Sequence, residues 1–326
     1  MTWDRIRAAK EKFERILMEK AHVIGVGIGK KVVAGEETDE PAVIVFVEKK
    51  VPEPQLKRKD IIPKTLDEVK TDVIETGRLK AQAAIAGRRT RTDRWRPAPG
   101  GVSVGHIRIT AGTLGGVVRR GARRVILSNN HVLAASGSAR IGGPILQPGP
   151  ADSGTRDDAI ATLEQFVEIR FNDSIAGGWS LGRWLRRLAE RLGLRAAAAS
   201  PRNFVDAAIA RPIRDDLVTD SILQLDRTPG IAEAGVGTPV RKSGRTTGVT
   251  DGKILATDAT VEVDYDRYVA TFTDQLVAGP MSQGGDSGSL VVDVQGRTVG
   301  LLFAGSETTT VFSRASRVAD ALGVEF

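Results

Sequence analysis

Cysteine is missing from all 326 positions, which excludes disulfides, thiolate metal ligands and a cysteine nucleophile. Long apolar runs are missing too. No stretch of about 18 uncharged apolar residues occurs, so no membrane-spanning helix is expected. Residues 1–20 are charged throughout and lack the apolar centre of a secretion signal, which points to the cytoplasm. Aromatic residues make up only 5%, and no stacking motif accompanies the basic clusters, so nucleic acid is not an expected partner. Histidine is limited to three positions, so each can be weighed by itself. No metal or cofactor motif is visible.

What is present fits a soluble globular protein. Apolar residues make up 41% and charged residues 27%, in a chain long enough for two or three domains. The net charge of +7 comes mostly from arginine clusters at 88–96, 119–124 and 183–195, read as solvated surface. Residues 2–20 space Ile6, Ala9, Phe13, Ile16 and Leu17 as one face of a helix. In the strand that follows, Ile24, Val26 and Ile28 alternate with Gly25, Gly27 and Gly29, which predicts one closely packed face rather than a nucleotide loop. Ala42–Val47 reads as a buried strand returning as a hairpin, and 71–76 as another. Residues 1–80 thus form a small α/β unit. Residues 81–100 read as an exposed basic linker, with 88–99 the expected proteolysis site.

From residue 101 onward the pattern changes to many short apolar segments divided by turn residues, as in a β-barrel or sandwich. Two helices interrupt it. One is a basic amphipathic helix over 181–199, an insertion near 171–200 that packs on its own protein or touches a membrane or partner. The other closes the chain over 313–322.

Gln283-Gly284-Gly285-Asp286-Ser287-Gly288-Ser289 carries the chemistry. Two of its glycines let the backbone turn sharply, and such a turn aims N–H groups into one small space. A serine hydroxyl needs a histidine to take its proton and an acid to orient that histidine. His22 and His106 read as structural. His131 ends the apolar strand 125–127 after Ser128-Asn129-Asn130, at a rigid strand end. The acid is Asp206, directly before the apolar run 207–210, or else Asp157 or Asp158 before 159–161. The segment Lys242-Ser243-Gly244-Arg245-Thr246-Thr247-Gly248 lacks the order of a phosphate loop and reads as a strand and a tight turn.

His131, Asp206 and Ser287 follow the order of the chymotrypsin/trypsin family. The run Ser-Asn-Asn-His-Val-Leu resembles the histidine motif of its HtrA-like branch, and Gly285-Asp286-Ser287-Gly288 resembles the family's serine motif. Val299–Ser306 is similar to the strand that lines the family's substrate cleft. With the N-terminal unit and the 242–248 segment, the chain looks closest to trypsin-like proteins related to the plant Narrow Leaf 1 protein. The resemblance covers about residues 101–312 and implies a mainly β fold for the domain 101–326: two six-stranded antiparallel barrels with the site between them. It implies that Ser287 attacks a peptide carbonyl, His131 moves the proton and Asp206 holds the imidazole, with the N–H groups of Gly285 and Ser287 as oxyanion donors. It implies substrate contacts at Met281, Phe303, Ala304 and Gly305, with Met281 suggesting an apolar subsite. The expected partner is a peptide or protein, self-cleavage in the linker is expected, and oligomers stay open. In this family the acid before the serine pairs with a freshly cut N-terminus. Only Gly100-Gly101-Val102 follows the linker, so Asp286 is expected to use an arginine or backbone donors, or the site to rest in an immature state. The rival readings are a protease-fold scaffold and an esterase.

Overall fold

A computed structural model describes residues 2–33, 36–81, 89–172, 201–226, 229–266 and 268–326. The expected helix over 181–199 lies outside them. The N-terminal unit opens with α1 (Trp3–Met18), which buries Ile6, Ala9 and Leu17. It packs on β1 (Val23–Val33) and β2 (Glu36–Val47), an antiparallel hairpin. Two further strands, β3 (Thr65–Leu66) and β4 (Val69–Glu75), complete this layer, β4 running parallel to β2. The glycine face of β1 is packed as closely as its spacing predicts: a Cβ on Gly29 would lie 2.3 Å from the carbonyl oxygen of Leu255. This layer does not stop at its own edge. β1 pairs antiparallel with a strand of the C-terminal half, so one sheet runs through both.

A two-residue strand, β5 (Lys80–Ala81), and a short helix, α2 (Arg89–Thr92), lead to the barrels. The first barrel comprises β6 (Ala98–Gly100), β7 (Ser103–His106), β8 (Gly112–Thr113), β9 (Gly116–Arg120), β10 (Arg123–Ser128), the helical turn α3 (Asn130–Leu133), β11 (Pro144–Leu146), β12 (Ala159–Phe166), β14 (Ala208–Pro212) and β15 (Val218–Ile222), while the two-residue β13 (Arg202–Asn203) pairs in parallel with a strand of the second barrel. Seven of these strands pair in the order β8-β7-β11-β12-β14-β10-β9. The chain passes almost directly from β8 into β9, which brings the two ends of that order together. Val104, Ile126, Ile145, Ile160 and Leu163 fill the interior.

The second barrel consists of β16 (Pro239–Gly244), β17 (Gly248–Asp264), β18 (Val269–Ala278), β19 (Leu290–Val292), β20 (Thr298–Gly305) and β21 (Thr310–Arg314), followed by α4 (Ala315–Leu322). It closes because β17 pairs with β18 as well as β16. The long β17 serves two sheets at once: its first part pairs with β16 and its centre with β1. Leu127, Ile209, Leu290 and Leu301 join the two barrels under α4 in one apolar cluster. The fold is therefore mainly β, with curled antiparallel sheets behind a small N-terminal helix-and-strand layer. Among the described residues no helix is long and apolar enough to cross a membrane.

One sequence expectation is corrected here. The stretch read as an exposed linker is built into the fold at Arg91 and over 98–100, while Asp93, Arg94 and Pro97 are exposed. Arg91 is only 6% exposed; its guanidinium donates to Gly101 O (3.0 Å), Ser243 Oγ (2.7 Å) and Gln224 Oε1 (2.8 Å). Arg96 donates to the side-chain oxygen of Gln147 (2.6 Å), and β6 pairs in parallel with β15. A basic composition suggests solvent, but a guanidinium whose donors all find oxygens can be buried.

Candidate active site

β10 is apolar up to Leu127 and then meets Ser128-Asn129-Asn130. Asn129 Nδ2 donates to the carbonyl of Asp206 (2.7 Å), tying the end of β10 to the residue just before β14. α3 begins at once, so His131 stands at the rim of the first barrel with its side chain 12% exposed. Its Nδ1 lies 2.6 Å from Asp206 Oδ2, and its backbone N–H donates to Oδ1 (3.2 Å). Asp206 is fully buried. A third donor reaches it from the other barrel: Tyr265 Oη donates to Oδ2 at 2.8 Å. Burial first, then the charge and hydrogen bond of Asp206, push the Tyr265 phenol well above its ordinary range, so it stays a donor. The Tyr265 ring also stands edge-on to His131, with centroids 6.0 Å apart.

With Nδ1 donating to a carboxylate, Nε2 is left as the acceptor. It is buried and has no hydrogen-bond partner, an exception among buried polar atoms that calls for an explanation. Asp157 and Asp158, the rival acids, are engaged elsewhere. Asp158 Oδ2 accepts from the backbone N–H and hydroxyl of Thr155, and Oδ1 from Arg94 Nε (2.9 Å). Asp157 is exposed. His106 is 3% exposed and accepts from the Arg108 N–H at Nδ1 (3.2 Å), a packed residue of β7.

The Ser287 loop enters from the second barrel between β18 and β19. Gly285 and Gly288 have φ of 96° and 98°, the region where only glycine is unstrained. Gly288 is crowded as well: a Cβ there would lie 2.1 Å from Ser128 Oγ and 2.2 Å from Thr113 O. The loop is thereby pressed against the first barrel three residues from His131. Thr113, at the end of β8, clamps it. The Thr113 N–H donates to Ser287 O (2.8 Å) and its hydroxyl to Gly285 O (2.8 Å). The Gly284 carbonyl accepts from Thr246 Oγ1 (2.7 Å). In a trans peptide the N–H points opposite to the carbonyl, so Gly285 N–H faces away from Thr246. Among the described residues no backbone acceptor takes it.

Asp286 fixes the loop from beneath. It is fully buried, accepts from the N–H groups of Thr246 (2.9 Å), Thr247 (3.1 Å) and Gln283 (3.0 Å) and from Thr247 Oγ1 (2.6 Å), and lies 3.2 Å from Lys242 Nζ. The expectation of an arginine or backbone donors is met by a lysine and backbone donors. Burial lowers the Lys242 pKa, and Asp286 opposes that shift. The ammonium is further held by Thr247 Oγ1 and Gly248 O (3.0 Å). The 242–248 segment is thus a strand and a tight turn wrapped around a carboxylate.

Ser287 Oγ does not bond His131 Nε2, which has no partner. It donates to the carbonyl of Phe303 at 3.3 Å. Phe303, Ala304 and Gly305 occupy the end of β20 beside the loop. Met281 corrects an expectation. It is 3% exposed inside the second barrel with Leu276, Val291 and Leu302, its sulfur 2.5 Å from where a Cβ on Gly252 would stand. Six residues before the serine along the chain, the methionine fills core instead of a subsite. The sequence reading missed Tyr265, Lys242 and Thr113. Each acts through a contact between distant segments, with no local motif to reveal it.

In overall structure the chain is similar to Thermobifida fusca Protease A, at 18% identity over 70% of this chain and 96% of that one with a TM-score of 0.46. It is similar to Cellulomonas bogoriensis chymotrypsin, at 17% identity over 70% and 97% of the two chains with a TM-score of 0.45. It is also similar to Nocardiopsis protease, at 15% identity over 70% and 97% with a TM-score of 0.45. No curated protein matches it in sequence. Residues 4–74, the segment from α1 through most of β4, match the NARROW LEAF 1 N-terminal domain family.

Proposed function

We propose that the chain is a serine hydrolase acting on peptide bonds through Ser287, His131 and Asp206. One observation carries this reading: His131 is held at Nδ1 by a buried carboxylate while its Nε2 lone pair, at the barrel junction beside the serine loop, is unspent. An imidazole so held is oriented as a base. For catalysis the Ser287 hydroxyl must leave the Phe303 carbonyl for another staggered well and reach the imidazole. His131 then accepts the proton as Oγ attacks the carbonyl carbon, and Asp206 stabilises the imidazolium. The N–H groups of Gly285 and Ser287 receive the oxyanion. His131 returns the proton to the leaving amine, and water releases the acyl group by the reverse sequence. Phe303, Ala304 and Gly305 supply backbone to the substrate. Self-cleavage between 88 and 99 would require Arg91 and Arg96 to leave their acceptors.

A second reading is supported by the observed Ser287 rotamer: a hydroxyl resting on a carbonyl rather than on Nε2 fits a protease-fold scaffold or a resting state. A fluorophosphonate probe separates the readings. The hydrolase labels at Ser287, and His131→Ala abolishes labelling while the fold persists. A folded wild-type chain that stays unlabelled after prolonged incubation, with or without candidate peptides, rejects the hydrolase.

A further inference from the structure

One edge of β20 is occupied by three different pieces of chain in succession. Leu301 pairs with Leu290 of β19. At Leu302 the serine loop takes over, with Gly288 N–H donating to Leu302 O (2.8 Å) and Leu302 N–H to Ser289 O (3.0 Å). The Phe303 carbonyl receives Ser287 Oγ. Beyond it, Ala304 and Gly305 pair antiparallel with Ala81 and Lys80 of β5. Because the pairing is antiparallel, the chain running from Lys80 to Ala81 advances toward Phe303 and Ser287. β5 therefore lies where the acyl side of an extended peptide would lie if its next bonds were offered to the serine. Added strands of this kind bind through backbone hydrogen bonds, and alternate side chains supply selectivity.

The residue before β5 supplies the anchor. Leu79 is 2% exposed and belongs to the cluster that includes Phe272, Phe303 and Ala304. The seat is otherwise slight. β5 is two residues long, among the described residues its other side pairs with Asp264 of β17, and Arg78 forms an ion pair with Asp264 at 2.5 Å. A segment held by so few bonds can yield to a competitor.

Resting on the peptide-hydrolase reading, in which the Phe303–Gly305 edge receives the substrate backbone, we propose that Leu79–Ala81 occupies that edge in cis and competes there with extended peptides. The ligand in trans is an extended peptide with a large aliphatic side chain at the place of Leu79. The resident segment lowers the apparent affinity for that peptide by the fraction of time the edge is free.

The test uses the full chain carrying Ser287→Ala, so that no turnover intervenes. The probe is a fluorescein-labelled hexapeptide of sequence Thr-Gly-Arg-Leu-Lys-Ala, that of residues 76–81. Binding is read by fluorescence anisotropy. Replacing both Lys80→Pro and Ala81→Pro removes two backbone donors, and affinity is expected to rise at least about tenfold over the parent. Arg78→Glu loosens the same segment without touching its backbone and is expected to raise affinity severalfold; it carries the comparison if the proline chain does not fold. Replacing leucine by aspartate in the probe is expected to abolish binding. Equal affinity across the folded chains, or no binding to any of them, overturns the proposal. Binding does not depend on catalysis. A chain that gains the peptide but never reacts with fluorophosphonate keeps this edge and loses the hydrolase reading, and the converse result does the opposite.

Discussion

Two buried aspartates flank the cleft, and they are solvated in opposite ways. Asp286 accepts four hydrogen bonds and lies beside an ammonium that is itself fully buried. Among the described residues Asp206 has no lysine or arginine partner; it has a backbone N–H, a phenol and the His131 imidazole. The first carboxylate is neutralised where it stands and can only hold its loop. The second is held by hydrogen bonds and faces the imidazole. Burial raises the cost of an unbalanced charge, so Asp286 is a fixed post under its loop, while on the hydrolase reading Asp206 stabilises the imidazolium.

Substitutions at the two sites can break this contrast. On the hydrolase reading, Asp206→Asn is expected to lower kcat about 10⁴-fold, because an amide no longer fixes the tautomer. Its melting temperature should move little, and steady-state peptide cleavage beside thermal melts checks both. A near-wild-type rate would remove Asp206 from the mechanism. Asp286→Asn is expected to act on stability first. It strands the Lys242 ammonium in the interior, at a cost of about 3–5 kcal/mol. Adding Lys242→Met to that variant should restore a large part, since neither charge then remains. Urea unfolding of the two singles and the double gives the coupling directly, and strict additivity would mean that the pair does not interact.

Smaller changes sharpen the comparison. Tyr265→Phe removes the donor that crosses between the barrels to Asp206 and is expected to cost about 1.5–3 kcal/mol. The phenol also sets a pH dependence. Its folded pKa lies above the ordinary 10.0, so the unfolded chain loses this proton first as pH rises. The stability the phenol contributes is complete below pH 10.0 and falls above it. Unfolding free energies measured at pH 9 and pH 11 should show a smaller drop in Tyr265→Phe than in the parent. Thr113→Val deletes the hydroxyl clamp on Gly285 O and is expected to cost about 1 kcal/mol. Its effect on fluorophosphonate reactivity should exceed its effect on melting, because the clamp acts on the loop and not on either core.

The apolar strand read at 125–127 falls within β10, the run Val299–Ser306 falls in β20 up to Gly305, and the closing helix expected over 313–322 spans Ala315–Leu322. Those elements were legible because alternation and turn residues act locally. The choice among acids was not: Asp157, Asp158 and Asp206 each precede a short apolar run, and only the ladder joining Leu127 to Ile209 brings one of them to His131. Met281 misled because its place was counted along the chain from the serine, whereas packing with Leu276, Val291 and Leu302 sets where it lies.

By itself the sequence determined a cysteine-free, mainly β chain with a glycine-bounded serine and one histidine at a strand end, because local patterns of side chain and turn dictate such features. Only the tertiary structure decided that Lys242 stands where a cut terminus was sought, that Tyr265 reaches across to Asp206, and that β5 lies along β20. Those contacts join residues 44, 59 and more than 200 positions apart, and barrel closure, which pairs strands irrespective of their spacing along the chain, is what makes them neighbours.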